Sequence, residues 1–459
     1  MNKKSTRRSF LNTAMASSLA LTAAPAISSA KPKTKSFSAN DRIRIGTIGM
    51  GIIGFYDTEC ALKIPGNEFV AAADCYKGRL ERTTEKFGKN IYTTGDYKEL
   101  LDRDDIDAVL LCVPDHWHKQ LSIEAMKAGK AVYCEKPMVR EISEGAAIIK
   151  TQKETGQVLE VGSQFSSSLL TLKAKELYEK GVIGKLNMAN ILISRNTSIG
   201  AWQYSIPPDA STDTIDWDRF QGNAPKRAFD ADRFFRWRKY WDYGTGVAGD
   251  MYVHYFTALH RIISSNGPTK AMATGGVRFW TEKREAPDMI LGLYEYPETD
   301  KHPEFTLQMG ANFADGGHGP VFQLIGDEGM LSMTTNGVTV THTHSTEPSL
   351  NQLVEGYNSV FTFSQNQQDA FVKQFKKMNP DYAKLQNVAP PDDIDFRAPQ
   401  GYDDRLDHMK VFFGEMRGTD KVVEDPEFGL RAAAPALLAN MCFRDNRIYK
   451  WNPDTMKLG

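Results

Sequence analysis

The sequence predicts an α/β protein with two domains: an N-terminal parallel, doubly wound sheet and a C-terminal α/β domain on a large, open, mostly antiparallel sheet. Three observations predict this fold. Strand-like and helix-like segments alternate over residues 41–163, and a glycine-rich turn follows the first strand. Beyond residue 163 the segments become longer and alternate polar with apolar residues. At 459 residues the chain is also too long for a single core.

The first domain, residues 41–163, is predicted from apolar strand patterns joined by amphipathic helix patterns. Strands are predicted at 43–48, 68–73, 108–113, 131–134 and 158–162, with helices after Gly54 and at 78–87, 120–128 and 143–155. Alternation of this kind indicates βαβ units and therefore a parallel sheet.

The second domain, residues 164–459, is predicted from segments that alternate polar and apolar side chains, which is typical of a sheet with one covered face. Such segments occur at 186–194, 289–296, 305–310 and 338–343. Residues 357–402 are rich in Gln, Asn, Asp and Pro and predict no defined structure. Residues 407–451 predict helices again.

Residues 1–30 have the pattern of a signal peptide, in which a basic start precedes an Ala/Ser/Leu-rich segment at 13–26 and small residues at 28–30. The basic residues are Lys3, Lys4, Arg7 and Arg8. Residues 6–11 resemble a twin-arginine export signal, which predicts a periplasmic or otherwise exported protein. The alternative is an ordinary secretory signal with two chance arginines. Residues 31–40 are polar and predict a linker.

The composition excludes some classes of partner. With a formal net charge of -1, the chain offers no strongly basic surface for nucleic acid, and no apolar run reaches the roughly 18 residues of a membrane span. The five cysteines contain no CxxC pair, which argues against a disulfide framework. We therefore expect a small-molecule ligand and neither nucleic acid nor membrane.

A dinucleotide-binding fingerprint follows the first strand. Gly49, Gly51 and Gly54 form a GxGxxG turn, and Asp74 follows Gly54 by 20 residues, at the end of the next predicted strand. The glycines allow a tight turn, close approach to a pyrophosphate and close helix packing, so the sequence predicts a Rossmann domain. A carboxylate at Asp74 favours NAD, although the nearby Arg79 leaves NADP open; the alternative for Asp74 is a helix cap.

Three further motifs resemble one family. They are the strand-end run at 112–118, the triplet Glu135-Lys136-Pro137 and the Asp-x-x-x-His element of Asp250 and His254. Together they resemble the glucose-fructose oxidoreductase, inositol dehydrogenase and MocA family, from about residue 43 to the end of the chain. The resemblance implies an NAD(P)-dependent oxidoreductase that acts on a sugar or another polyol.

The resemblance also implies catalytic roles for Lys136, Asp250 and His254. It implies that Lys136 hydrogen-bonds the reacting hydroxyl and precedes a cis peptide, that His254 is the base, and that Asp250 orients His254 or the substrate. A histidine that titrates near neutrality suits proton removal during hydride transfer. From the residues alone, a solvated lysine, a helix cap and a satisfied histidine remain open.

The resemblance places Trp117 and His118 against the nicotinamide and the sugar. Residues 234–241 mix aromatic and basic groups, which would either wall a sugar site, with Arg238 as a substrate contact, or pack against the sheet. Gln164 stands where family members often carry a basic residue. The predicted cofactor contacts are Gly49, Gly51, Ile52, Ile53, Gly54, Asp74, Pro114, Asp115, Trp117, His118, Glu135, Lys136 and Gln164, and the predicted substrate contacts are Trp117, His118, Arg238, Asp250 and His254.

No metal is predicted, because the histidine pairs His116/His118 and His342/His344 lack a matching set of carboxylates or cysteines. The expected reaction is hydride transfer between a polyhydroxylated substrate and tightly held NAD. The alternatives are a redox-neutral enzyme that cleaves glycosides and a cofactor-bearing binding protein without turnover. The segments 196–243 and 350–402 exceed a minimal family member and would cover the site or build an interface. A homo-oligomer through the open sheet is also expected.

Overall fold

The structure is a computed structural model that describes residues 42–317, 320–343, 349–381 and 391–459. The predicted signal peptide and linker therefore lie outside the described residues. Within these residues, no helix is long and apolar enough to cross a bilayer.

The first sheet has six parallel strands in the order β3-β2-β1-β4-β5-β6. The strands are β1 (Ile43–Ile48), β2 (Asn67–Ala73), β3 (Tyr92–Thr94), β4 (Ala108–Leu111), β5 (Ala131–Glu135) and β6 (Leu159–Gly162). The strand order reverses between β1 and β4, so the carboxyl ends of these two strands open a crevice suited to a ligand. This sheet confirms the predicted parallel Rossmann fold.

Helices accompany these strands, namely α1 (Ile52–Leu62), α2 (Lys77–Phe87), α3 (Tyr97–Leu101), α4 (His118–Lys127) and α5 (Gly145–Thr155). The first helix begins at Ile52, before the predicted start, because Gly51 already occupies its N-cap position. The helix α5 ends at Thr155, where the predicted helix 143–155 also ends, and its C-cap Gly156 adopts the left-handed conformation with φ 66°. The short β3 and α3 were not predicted, since three and five residues give too little periodicity.

The second sheet has ten strands in the order β14-β13-β12-β11-β7-β10-β9-β8-β15-β16. They are β7 (Leu186–Ser194), β8 (Lys270–Gly276), β9 (Met289–Tyr296), β10 (Phe305–Asn312), β11 (Val321–Gly326), β12 (Gly329–Met333), β13 (Gly337–His342), β14 (Ile394–Arg397), β15 (Tyr449–Asn452) and β16 (Lys457–Leu458). Strands β7 and β10 pair in parallel, and the other pairs in this sheet are antiparallel. The predicted open, mostly antiparallel sheet is thus confirmed.

The second domain also carries helices. They are α6 (Leu169–Glu179), α7 (Trp217–Gln221), α8 (Ala231–Phe235), α9 (Val253–Ile263), α10 (Leu350–Glu355), α11 (Gln365–Met378), α12 (Asp404–Met416) and α13 (Pro426–Asp445). Residues 357–402, for which the sequence predicted no structure, contain α11 and β14; α11 has no buried residue, so its polar sequence gave little signal. The predicted helical tail is confirmed in α12 and α13 but ends in a strand, β15.

The helix α12 packs on the first domain although it lies near the end of the chain. Its fully buried side chains Met409, Phe412 and Phe413 join a core cluster with residues of β1, β4 and β5. The rings of Phe412 and Tyr133 on β5 lie 5.7 Å apart at an angle of 66°. The core of the first domain is therefore completed by a segment from beyond the predicted boundary at residue 163.

Candidate active site

A cavity of about 310 Å³ lies at the crevice between β1 and β4 and is lined by both domains. It contains the glycine-rich turn at one end and the Asp-x-x-x-His element at the other. Most of the predicted site residues line it: Gly49, Gly51, Ile52, Ile53, Asp74, Pro114, Asp115, Trp117, Glu135, Lys136, Gln164, Arg238, Asp250 and His254. The fold thus brings together residues that lie up to about 200 positions apart in the sequence.

Two predicted residues do not line this cavity. His118 is fully buried, and its ring nitrogens lie 2.7 Å from the carbonyl oxygen of Pro137 and 3.0 Å from that of Val113. Its predicted contact with nicotinamide or sugar is therefore wrong, because both ring nitrogens already bind backbone. Gly54 has a packing role, since a Cβ there would lie 2.0 Å from the carbonyl oxygen of Gly49.

The glycine turn and Asp74 form the cofactor end of the cavity. Gly49 has φ +94°, and a Cβ at this position would lie 2.4 Å from the carbonyl oxygen of Cys112. Gly51 has no heavy atom nearer to such a Cβ than 3.9 Å, which leaves open space above the backbone. The Asp74 carboxylate accepts from the amides of Met50 (2.7 Å) and Tyr76 (2.8 Å) and lies 3.4 Å from Arg79. These residues fit a dinucleotide.

Lys136 follows β5 and reaches across to the second domain. Its ammonium donates to the Oδ1 of Asp250 at 2.9 Å and to the carbonyl oxygen of Asp250 at 3.1 Å. Only 10% of its side chain is exposed, so Lys136 is not a solvated lysine. The peptide bond between Lys136 and Pro137 is cis, as the resemblance implied.

Asp250 is shared by two cations. Besides Lys136, it accepts a hydrogen bond at 3.1 Å from the Nε of Arg238, whose guanidinium lies 4.2 Å from the ring centroid of Trp237. Burial by itself would raise the pKa of Asp250, but Lys136 and Arg238 hold it well below its usual value. The structure thus pairs Asp250 with Lys136 and Arg238, and among the described residues Asp250 makes no hydrogen bond to His254. The role implied by the resemblance, in which Asp250 orients His254 or the substrate, stays a prediction.

His254 lies in the first turn of α9, directly after a wider π-helical turn at Ala248–Tyr252. It lines the cavity, and its buried Nδ1 has no hydrogen-bond partner in the described part of the chain. Burial and the charge of Lys136 lower the pKa of His254 well below 6.5. The expectation of titration near neutrality is therefore corrected: the imidazole is neutral, and so competent as a base, across the neutral range.

Several lining residues were missed by the sequence analysis. In the segment 196–243 the residues not singled out are Trp202, Tyr204, Arg219 and Phe220, which line the cavity together with Phe234, Phe235 and Trp237 of the cluster at 234–241. Arg405 on α12 also lines the cavity and forms an ion pair with Asp57 at 3.3 Å. The aromatic composition of 196–243 was a usable signal, whereas nothing in the local sequence marks Arg405.

The aromatic and basic cluster at 234–241 divides between two roles. Phe234, Phe235, Trp237 and Arg238 line the cavity, whereas Tyr240 packs in an apolar cluster with Tyr76. Among the described residues, no group of three His, Cys, Asp or Glu side chains is arranged to hold a metal. His342 lies on β13, and His344 lies outside the described residues.

The fold and the site define a class of protein: a two-domain α/β protein in which a Rossmann crevice faces a set of Lys, Asp and His side chains. Residues 43–163 match the family model described as "Oxidoreductase family, NAD-binding Rossmann fold". Residues 173–272 match the model of its C-terminal α/β domain. The chain is thus similar to the Gfo/Idh/MocA family over residues 43–163 and 173–272.

Curated relatives share part of the chain. A glycosyl hydrolase family 109 protein from Shewanella baltica is 30% identical over 154 residues, which are 32% of this chain and 34% of the relative. A scyllo-inositol 2-dehydrogenase (NAD(+)) from Bacillus subtilis is 30% identical over 145 residues, 31% of this chain and 42% of the relative. The chain thus spans about a third to two fifths of the length of these relatives.

Solved structures share the whole fold. The WlbA dehydrogenase from Bordetella pertussis, in complex with NADH and UDP-GlcNAcA, is similar with a TM-score of 0.62 and 16% identity. The similarity covers 90% of this chain and 98% of that structure. At this identity the similarity shows the two-domain fold.

Proposed function

We propose that the protein is an NAD-dependent oxidoreductase that transfers hydride between a sugar or polyol and a tightly held nicotinamide cofactor. The observation that supports this most is the meeting of Lys136, Asp250 and His254 in the cavity that also contains the glycine turn. The sequence also left open a cofactor-bearing binding protein without turnover. Such a protein would not need a neutral histidine beside a buried ammonium.

The residues at the glycine turn would hold NAD. Gly51 leaves space for a pyrophosphate, the N-terminus of α1 favours its negative charge, and Asp74 stands where a ribose hydroxyl would donate. When bound, NAD supplies the hydride acceptor for a substrate carbon. Because the Asp74 carboxylate, held by the backbone amides of Met50 and Tyr76, would lie against a 2'-phosphate, NAD is favoured over a 2'-phosphorylated cofactor.

The second half of the chemistry belongs to the protein. Loss of hydride from a secondary alcohol also requires loss of the hydroxyl proton, which an imidazole nitrogen of His254 accepts. The Lys136 ammonium donates to the same oxygen and stabilises the negative charge that develops there. Asp250 holds Lys136 and Arg238 in place through hydrogen bonds of 2.9 and 3.1 Å.

The experiment is to denature the purified protein, identify the released nucleotide and then offer the intact protein a panel of sugars and polyols. Absorbance at the wavelength of reduced nicotinamide reports turnover of the bound cofactor. We expect NAD to co-purify and to be reduced. Folded protein that contains no nucleotide and binds no NAD would contradict the proposal.

A second candidate is redox-neutral cleavage of a glycoside, and the similarity to the glycosyl hydrolase family 109 protein favours it. Here a ring carbon loses hydride to NAD, the adjacent C–H becomes acidic, the aglycone is eliminated, water adds, and the hydride returns. Product analysis separates the two candidates: net oxidation yields a keto sugar and reduced NAD, whereas cleavage yields an unoxidised sugar, a free aglycone and no net reduced NAD.

We further propose that residues 1–30 direct export of the folded, cofactor-loaded protein by the twin-arginine route. The support is the Arg7-Arg8 pair before a weakly apolar segment. Replacing both arginines with lysine should leave the protein in the cytoplasm. Unchanged export of that variant would favour the ordinary secretory signal.

We also propose that the open sheet forms a homo-oligomer. Along β9, Leu291 and Leu293 are 37% and 39% exposed and alternate with buried residues, so the outer face carries apolar side chains. Light scattering should report an oligomer for the parent protein and a monomer for Leu293→Arg. A parent protein that is monomeric at micromolar concentration would contradict this.

A further inference from the structure

A second cavity, of about 280 Å³, adjoins the first at the reacting centre. The two cavities share Gln164, Arg195, Met251 and His254, so His254 lies on a wall common to both. The remaining lining of the second cavity is Phe165, Ile193, Ser194, Tyr255 and Pro320. A substrate that meets His254 can therefore extend into a space outside the cofactor crevice.

Arg195 differs from the other basic side chains around these cavities. Those five cations each have a carboxylate partner: Lys136 and Arg238 with Asp250, Arg79 with Asp74, Arg219 with Asp96, and Arg405 with Asp57. Arg195 has none among the described residues. Its contacts there are a long hydrogen bond of 3.4 Å to the carbonyl oxygen of Gly200 and the ring of Phe313, with the guanidinium 5.6 Å from the centroid.

One further polar group on the shared wall has no partner among the described residues. The Nδ1 of His254 is buried and accepts or donates no hydrogen bond within the described chain. Beside His254, the ring of Phe165 lies 5.4 Å from the imidazole and 5.7 Å from the ring of Tyr255. Aromatic faces next to unpaired polar groups suit a sugar ring, which has apolar C–H faces and hydroxyls at its edge.

Arg195 also acts on the reacting centre through its charge. Burial and Lys136 lower the pKa of His254 most, and Arg195 lowers it further. The guanidinium is therefore within electrostatic range of the imidazole. An anion bound to Arg195 would lie on the substrate side of His254 and would offset part of that positive charge.

We propose that the substrate is an acidic sugar, a uronate or a glycoside that contains one, whose carboxylate is bound by Arg195 while its ring occupies the second cavity. This inference rests on the proposed function for the reaction at His254. A guanidinium matches a carboxylate with two parallel hydrogen bonds, and Arg195 is half-buried, so such a pair would be less exposed to water than one at an open surface. A neutral sugar would leave Arg195 without an ion-pair partner among the described residues.

The experiment measures binding of D-glucuronate, D-galacturonate and their methyl glycosides to the NAD-loaded protein by calorimetry, with D-glucose and D-galactose as neutral counterparts. We expect at least one uronate to bind about 10- to 100-fold more tightly than its neutral counterpart. Arg195→Met should abolish this preference, and Arg195→Lys should restore part of it. The matched control is Arg278→Met, since Arg278 is an exposed arginine on the same domain that binds a backbone carbonyl.

Melting temperatures of all three variants show whether the fold is kept. Equal binding of uronates and neutral sugars, or a uronate preference that survives Arg195→Met, overturns the proposal. The proposal is also overturned if glucose 6-sulfate or glucose 6-phosphate binds in a way that depends on Arg195 and no uronate does. Arg195 would then bind a sulfate or phosphate group of the substrate. Reduction of bound NAD is measured in parallel. If only neutral sugars reduce it, the proposed oxidoreductase function stands and the proposed acidic substrate is overturned.

Discussion

His254 stands on the wall between two cavities, with an unpaired ring nitrogen and a buried ammonium nearby. We expect His254→Gln to keep its fold and its NAD, because most of the predicted cofactor contacts lie in the first domain. Turnover should fall about 10²- to 10⁴-fold, the usual contribution of general acid–base catalysis. Single-turnover reduction of bound NAD and the melting temperature, measured on the same preparation, check this. Normal turnover in a stable variant would remove His254 from the mechanism.

The pH dependence follows from the environment of His254. Because burial and Lys136 lower its pKa well below 6.5, the imidazole stays neutral as the pH falls through 6.5. The rate for the parent protein should therefore remain flat through pH 6.5 and decline only at lower pH. A pH profile with its acid limb centred at or above pH 6.5 would contradict the electrostatic argument.

Asp250 is the common counter-charge of Lys136 and Arg238. Asp250→Asn should destabilise the protein by about 3 kcal/mol at pH 7, because two largely buried cations lose their carboxylate. Since the pKa of Asp250 is lowered on folding, this contribution is complete above its unfolded value of 3.8 and is lost only as the pH falls below it. The deficit in urea unfolding should thus be constant from pH 5 to 8.

The matched control for Asp250 is Glu85→Gln. Glu85 pairs with Arg82 at 3.0 Å, but both side chains are more than 60% exposed. An exposed pair contributes about 0.5 kcal/mol or less, so this variant should unfold with nearly the parent free energy. A deficit as large as that of Asp250→Asn would show that burial is not the cause.

At the residue scale, sequence reasoning found the motif residues and missed their pairing. Short sequence motifs with a known chemical role contain the residues that were found, namely Gly49, Asp74, Lys136 and His254. The partners of Asp250 could not be found this way, since Lys136 is 114 positions away and Arg238, although only 12 positions away, belongs to no motif shared with Asp250. The error over His118 has the same origin, because its neighbours Val113 and Pro137 are set by the packing of α4.

At the scale of elements, α12 provides a direct test of how the first domain is completed. Phe412→Ala should cost about 3 to 5 kcal/mol in the free energy of unfolding, because its fully buried ring packs against Tyr133 and the strands beneath it. Phe361→Ala is the control, since Phe361 is 68% exposed and should change stability by about 0.5 kcal/mol or less. Urea unfolding of both variants checks the difference.

The elements that the sequence predicted are those with strong periodicity or clear ends. Strands of the first sheet and α5, which ends at Gly156, are examples. The docking of α12 on the first domain could not be predicted, because amphipathicity reveals an apolar face but not which surface covers it. The parallel pairing of β7 with β10 was hidden for a similar reason, since alternation along a strand does not specify its partner.

At the scale of the whole molecule, the cofactor should link the two domains, because the cavity is lined by both. At a free NAD concentration of 100 times the Kd, NAD binding would stabilise the folded state by about 2.7 kcal/mol. Gly49→Ala should lose the cofactor and this stabilisation, since φ is +94° and a Cβ would lie 2.4 Å from a carbonyl oxygen. Retained nucleotide and the melting temperature check the prediction.

The control for Gly49 is Gly88→Ala. Gly88 has φ +113°, but a Cβ there would meet no atom within 4 Å. This variant should lose about 1 to 3 kcal/mol of stability, because φ 113° with ψ 154° is a backbone conformation that L residues avoid, and it should keep its NAD. Loss of NAD from both variants would show that destabilisation, not crowding at the turn, releases the cofactor.

The docking of α12 also sets the timing of folding during synthesis. When residue 163 is added to the nascent chain, α12 has not yet been synthesised. Roughly 10 to 50 s then pass before residue 404, the first residue of α12, is added. Through that interval Ile45, Leu110 and Tyr133 lack the side chains that bury them. The nascent first domain therefore exposes an apolar surface that chaperones can bind. A separately produced fragment of residues 41–163 should bind the dye ANS strongly, whereas the full chain should not.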